Sequence, residues 1–272
     1  LLFKLFTVPY LVTTHGGDIF GLQGGIFTYF KKAILKNAKI ITVVSTAIKE
    51  EIYNKIDKRL PVEVISMGVD STFFNPKKYN ESLKKKYNSK GPLLLFVGRL
   101  AEKKGIIYLV KAMPSILKVF SNALLLIVGD GTIREELQNL SKKQKTEKNI
   151  IFVGAVSNKD LPQYYATSDI FIGPSVQTKD GDSEGLGLTF VEASFSGCIP
   201  IGTTVGGIPD VIVNNKTGLL VPPQDPQSIS NGVISLLKNK NMMNNMKKNA
   251  RESLLKKFDW KTVSAQYSKL YR

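Results

Sequence analysis

Two features of the sequence predict a doubly wound α/β fold. From residue 93 onward, short and nearly continuous apolar runs alternate with amphipathic stretches of helix length, and residues 1–70 repeat that alternation in fragmentary form. Apolar runs without polar alternation suit parallel strands covered on both faces, and the intervals between them are long enough to serve as crossover helices.

In the N-terminal part the expected strands are YLVTT (10–14), KIITVVS (39–45) and VEVISMG (62–68), with helices over 24–37 and 46–55. These are too few strands to close a domain. The Lys- and Asn-rich stretch 71–91 reads as a linker. Beyond it the expected strands are LLLFVG (93–98), ALLLIVG (123–129), NIIFVG (149–154), DIFIGPS (169–175), CIPIGT (198–203) and TGLLVP (217–222). Helices fall over 105–119, over 132–145 with Thr132 as its cap, over 158–168, and from Leu188 to a C-cap at Gly197. Asp225 followed by Pro226 gives an N-cap and first helical residue for a helix over 226–237, and a last helix covers 258–272. The organisation expected is 1–70, a linker 71–91, a second unit 92–255 and a closing helix 256–272.

With 272 residues, 43% of them hydrophobic, the chain can bury one large core or two small ones. A single cysteine, Cys198, and a single histidine, His15, exclude a disulfide framework and any zinc site built from several such ligands. That cysteine usage suits a reducing compartment. The net charge of +16 implies anionic partners: nucleic acid, nucleotide phosphates or an acidic membrane face. The lysines concentrate in 75–91 and 238–257, which read as solvated linker and helix surface ahead of a dedicated binding patch. No apolar run reaches the ~20 residues that span a bilayer, and no signal peptide is visible, so the expected location is cytoplasmic, with the inner membrane face as a further option. The opening LLFKLFTVPYLVTTHGGD runs from Leu1 straight into a strand, which reads as an N-terminal truncation.

In open parallel sheets ligands bind beyond the carboxyl ends of strands, so the loops that follow strands are the places to search. Gly98 and Arg99 follow one strand directly, and Lys103 and Lys104 precede the next helix at Gly105. Glycine admits a ligand to the backbone, arginine offers a forked donor to phosphate oxygens and lysine adds a point charge; surface charge on a loop is the plain alternative. In EGLGLTFVE (184–192) the backbone N–H groups of Gly185, Leu186, Gly187, Leu188 and Thr189 would converge at a helix N-terminus, a natural anion site. Leu188, Val191, Glu192 and Phe195 share one helix face, so Glu192 is a carboxylate in an apolar stripe that needs partners. Ligand hydroxyls would supply them; a lysine pair for Glu192 and a solvated Glu184 are the alternative.

The stretch fails as a dinucleotide fingerprint, because Phe190 stands where the third small residue is required, and there is no P-loop. VGDG (128–131) reads as a strand-to-helix turn. His15, before Gly16, Gly17 and Asp18, is either structural or a group that donates or accepts near neutral pH.

FVGRLAEKKG, LLIVGDG, FVGAVSNKDLPQYYATSDIFIGPS and EGLGLTFVEASFSGCIPIGTTVGGIPDVIVNNKTGLLVPPQDP, in this order, closely resemble the retaining glycosyltransferases of the glycosyl transferases group 1 family, which includes glycogen and sucrose synthases. The family signature E-x7-E spans Glu184 to Glu192, and the match covers nearly all of 90–240. The resemblance implies a GT-B fold, two Rossmann-like domains with parallel sheets facing a cleft, the N-terminal one incomplete in this chain and the closing helix crossing back to it. It implies transfer of a hexosyl group from a nucleotide-diphosphate sugar to a hydroxyl acceptor, either a glycan or a lipid-linked or small molecule, with retention and without a metal or other cofactor.

It further implies that Arg99 and Lys104 grip the diphosphate beside Gly98, that Gly185 to Thr189 cradle phosphates and sugar, and that Ala155 and Val156 read the base. Glu192 would hold the ribose hydroxyls, while Glu184 contacts the transferring sugar and His15 hydrogen-bonds it. Without the rest of the first domain the closing helix would expose Trp260 and Tyr267 or pack differently. A donor-binding or interaction module without catalysis is the alternative. A nucleic-acid binder is disfavoured, since no aromatic stacking platform flanks the basic runs.

Overall fold

The computed structural model describes residues 9–17 and 25–271. The expectations that rest on Leu1–Val8, Asp18 and Arg272 lie outside them. The N-terminal part supplies β1 (Leu11–Thr14), α1 (Gly25–Asn37), β2 (Ile40–Val43), α2 (Thr46–Lys55) and β3 (Val62–Val64), and its strands form a parallel sheet in the order β1-β2-β3. The stretch 71–91, expected as a linker, holds a 3-10 turn (Pro76–Lys78) and α3 (Glu81–Lys86), and it buries Phe74 and Leu83.

The larger sheet is built from β4 (Leu93–Val97), β5 (Leu124–Val128), β6 (Ile150–Gly154), β7 (Ile170–Gly173), β8 (Ile199–Thr203) and β9 (Leu219–Val221). Its order is β6-β5-β4-β7-β8-β9, with every pairing parallel. The helices between and after these strands are α4 (Ile106–Val119), α5 (Arg134–Lys143), α6 (Leu161–Thr167), α7 (Leu188–Phe195), α8 (Ile208–Val211) and α9 (Pro226–Lys238). The order reverses direction between β4 and β7, the topological switch at which such sheets open a crevice for ligands.

The near-continuous apolar runs are explained by burial on both faces. Leu93 and Leu95 of β4 belong to one core cluster, while Leu94 and Phe96 belong to the other. The first cluster continues through Phe171 and Phe190 to Ile41, Val43 and Ile48, so one apolar body joins the large sheet to the small one. The second lies beneath α4 and α9, where Leu109, Met113, Ile229 and Val233 are sealed from water.

Local signals placed most helix ends. The Asp225 side chain accepts from the Ser228 backbone at 3.0 Å and Pro226 opens α9, as expected of that pair. Thr132 is a correction: α5 begins at Arg134 with Ile133 in the cap position and no side-chain cap hydrogen bond. Thr132 and Ile133 form the turn ahead of it, which leaves Thr132 one residue too early to cap.

The chain ends in α10 (Lys240–Phe258) and α11 (Trp260–Leu270), with Asp259 between them as the α11 cap. Asp259 meets Val69, where the chain leaves the first sheet. Val69 N donates to Phe258 O at 2.8 Å, Trp260 N donates to Val69 O at 3.1 Å, and Ser71 Oγ donates to Asp259 Oδ2 at 2.5 Å. Trp260 is exposed, whereas Tyr267 is half-buried and reaches Thr42 Oγ1 of β2 at 3.5 Å. Among the described residues no helix is long and apolar enough to cross a membrane.

Candidate active site

The loop after β4 carries Gly98, Arg99, Lys103 and Lys104, and the two lysines meet the loop that leads into α7. Lys103 Nζ lies 3.0 Å from Asp182 Oδ2, and Lys104 Nζ lies 2.5 Å from Glu184 Oε2, which Ser175 Oγ also approaches at 3.4 Å. Alternate acids on an extended loop thus meet consecutive lysines on a 3-10 turn (Glu102–Lys104). The Lys104–Glu184 pair is largely withdrawn from solvent, at 22% and 16% side-chain exposure, so it is screened less than a surface pair. Arg99 is exposed, and among the described residues its side chain has no ionic or hydrogen-bonding partner.

The same loop is propped from the side by VGDG. Gly98 N donates to Val128 O at 3.0 Å, Leu100 N to Asp130 O at 2.9 Å, and Gly129 N to Gly154 O at 2.8 Å. The ends of β4, β5 and β6 therefore abut in sequence, which carries the Arg99 loop toward Ala155 and Val156. Those two residues line a cleft of about 420 Å³ with Asn80, Lys86, Asp160 and Tyr164, and the other expected donor residues do not line it.

Gly185, Gly187 and their neighbours make the second wall. Gly187 sits at the N-cap of α7 with φ of +84°, in the left-handed region, and no side chain caps the helix. Among the described residues the backbone N–H groups of Gly185 to Thr189 have no protein acceptor, which leaves them and the helix dipole available to an anion. Gly185 packs directly against the end of β1: a Cβ there would lie 2.5 Å from His15 O, so nothing larger than glycine fits under the His15 loop. His15 itself is exposed, at the end of β1.

A pair of glycines not singled out from the sequence supports this wall from below. Gly207 N donates to Glu184 O at 3.0 Å, and a Cβ on Gly207 would lie 2.2 Å from Gly185 O. Just beyond them Asp210 Oδ2 accepts from Thr46 N at 2.6 Å, so an acid on α8 caps the positive end of α2 across the two sheets. The signal was present in VGGIPD, a glycine pair directly after β8, and the criterion used for the other loops would have found it.

Phe190 shows why the dinucleotide pattern fails in this chain. Its ring lies where a Cβ on Gly173 of β7 or Gly202 of β8 would be, at 2.4 and 3.0 Å, and these two glycines are register partners. The small residues stand on the strands and the large one on the helix, the reverse of the dinucleotide arrangement.

Glu192 is half-buried on α7, and Leu188, expected on the same buried stripe, is half-buried too. The Tyr165 hydroxyl, from α6, donates to Glu192 Oε2 at 2.8 Å. Burial raises the Glu192 carboxyl above its ordinary range while the Tyr165 hydrogen bond opposes the rise, and burial, together with Glu192, raises the Tyr165 phenol. No lysine pairs with Glu192 among the described residues. Tyr165 was not read from the sequence as a partner; its apolar ring and helical spacing in LPQYYATSD look like ordinary core.

Two parallel sheets joined by one apolar body, with a cationic loop and an open helix N-terminus beside the His15 loop, have the GT-B arrangement. The sequence model of the family described as Glycosyl transferases group 1 matches residues 78–253, and the chain belongs to that family. An uncharacterized glycosyltransferase of Methanocaldococcus jannaschii is 30% identical over 284 residues, covering 97% of this chain and 69% of its own. The GDP-mannose-dependent alpha-(1-6)-phosphatidylinositol monomannoside mannosyltransferase of Mycobacterium tuberculosis is 29% identical over 265 residues, covering 96% of this chain and 69% of its own. Among solved structures, the sucrose-phosphate synthase of Thermosynechococcus elongatus superposes with a TM-score of 0.84 at 27% identity, covering 100% of this chain and 69% of that one.

Proposed function

We propose that this glycosyltransferase moves a hexosyl group from a nucleotide-diphosphate sugar to a hydroxyl acceptor and retains the anomeric configuration. The observation that carries the proposal is the meeting of Lys104, Glu184 and the open N-terminus of α7 under the His15 loop. A diphosphate placed there finds Arg99, Lys104 and the backbone N–H groups of Gly185 to Thr189, so its charge is met by protein groups with no metal required.

In this reading Ala155 and Val156 face the base, Glu192 accepts from the ribose hydroxyls, and Glu184 and His15 hold the transferring sugar between the two sheets. The bond from the anomeric carbon to the diphosphate oxygen breaks, the acceptor oxygen bonds to that carbon, and the acceptor proton passes to the departing diphosphate. A relative whose name makes it GDP-mannose-dependent supports a nucleotide-sugar donor, and the phosphatidylinositol monomannoside in that relative's name supports a lipid-linked or glycan acceptor.

The test is a panel of UDP, GDP and ADP sugars, measured for binding by calorimetry and for transfer to simple glycosides, with the anomeric configuration of product read by NMR. Saturable binding of one donor, and a product of unchanged configuration formed in the presence of EDTA, are expected. Inverted product or dependence on a divalent ion would overturn the corresponding part.

A further inference from the structure

Tyr165 has a place in the fold that packing alone does not require. The side chain is fully buried, with its ring edge-to-face against Phe74 at 5.9 Å and Phe171 at 5.7 Å, and Phe171 in turn meets Phe190 at 5.2 Å. A phenol sealed in this way must find a partner for its hydroxyl, and the one it has is Glu192 Oε2 at 2.8 Å. Among the described residues Oε1 of the same carboxylate has no protein partner, and it is not enclosed.

A carboxylate on a two-torsion stem would otherwise sample several rotamers, each presenting its oxygens differently. Here one oxygen is tethered to a donor that cannot itself move, because aromatic edges from α3's preceding segment and from β7 hold its ring. The tether leaves the second oxygen in a defined direction. It also opposes the burial that would otherwise drive the carboxyl toward its neutral form.

We propose that Tyr165 is the positioning residue for Glu192, orienting the carboxylate so that its untethered oxygen receives the ribose hydroxyls, and that it thereby sets affinity for ribonucleotides over their deoxy counterparts. The inference rests on the reading of Glu192 as the ribose-binding group. Phe74, from the stretch between the two sheets, acts one step further out by holding the Tyr165 ring.

The experiment is calorimetry of UDP, GDP and ADP, each beside its 2′-deoxy and 3′-deoxy form, with the unmodified protein, Tyr165→Phe, Glu192→Gln and the double variant. Tyr165→Phe keeps the ring and its aromatic contacts, so a thermal melt close to that of the parent is expected. The dissociation constant of the bound ribonucleotide should rise roughly tenfold. A deoxy form lacking the hydroxyl that Glu192 receives should bind parent and variant alike, and the double variant should be no weaker than Glu192→Gln.

Equal losses for ribo and deoxy forms, or additive losses in the double variant, would make Tyr165 a packing residue only and overturn the inference. Should Tyr165→Phe fail to fold, Phe74→Leu carries the test: a loss confined to ribonucleotides supports the inference, and an equal or absent loss overturns it. If the unmodified protein binds none of the three diphosphates, the donor-site reading falls and this inference with it; if it binds one and the variants are indifferent, this inference falls alone.

Discussion

The ammonium of Lys104 stands 2.5 Å from Glu184 Oε2 across 80 positions of sequence, so under the proposed function the group that grips the phosphate is already held by the group that touches the sugar. A donor entering the site must share or take that lysine. Lys104→Ala should therefore weaken nucleoside diphosphate binding by at least about tenfold. Glu184→Gln removes the competing carboxylate, so diphosphate binding should hold or tighten while transfer falls. Calorimetry and a transfer assay on the same two variants check the opposed signs, and parallel losses of binding in both would defeat the competition.

Glu192 makes stability depend on pH with a definite sign. Its folded value is raised above the ordinary 4.5 by burial, so the folded state holds the proton more tightly than the unfolded chain. The contribution is complete below the ordinary value, is lost as pH rises through the raised one, and is constant beyond it. The melting temperature of Glu192→Gln relative to the parent should rise from pH 4.5 upward and then level. Thermal melts from acid to neutral pH measure this, and a difference that shrinks with rising pH would contradict it.

Cys198 is 1% exposed, and burial pushes its thiol far above the ordinary range. A disulfide reagent such as DTNB at pH 8 should leave the native thiol untouched and react fully only once denaturant unfolds the chain. Rapid labelling of the native protein would place Cys198 at a mobile surface and contradict the packing beneath α7.

Gly207 has no room for a side chain, since a Cβ would lie 2.2 Å from Gly185 O and 2.7 Å from Ser45 Cβ. Gly207→Ala should cost about 2 kcal/mol of stability and should weaken diphosphate binding as well, because the displaced backbone is the wall of the site. Chemical denaturation and calorimetry measure the two effects. Gly181→Ala is the contrast: nothing lies within 4 Å of its Cβ position, so backbone strain alone operates there.

The layered fold was legible because burial on both faces writes itself into the sequence as runs such as LLLFV, where neighbouring residues serve opposite cores. The loops that follow strands were legible for the same geometric reason, and Lys104, Glu184 and Gly185 do come together. Tyr165 was not legible, because a tyrosine that packs with its ring and bonds with its oxygen carries no pattern beyond that of a core residue. Its partner lies 27 positions away beyond β7, and their meeting depends on how α6 and α7 lie on the sheet. Thr132 failed as a cap because the rule for caps weighs residue type, while Gly131 and the contact of its loop with Leu100 decide where the turn ends.

The chain passes between its two sheets twice, once outward at Val69 and once in return at Asp259, and the two passages are hydrogen-bonded to each other. The same junction is also closed by the apolar cluster that runs from Phe171 and Phe190 to Ile41, Val43 and Ile48, and by the hydrogen bond from Thr46 N to Asp210 Oδ2. Gly68, whose Cβ position lies 2.6 Å from the Trp260 ring, sits beside this double crossing, so a single methyl group there would have to push the returning chain away from the outgoing one.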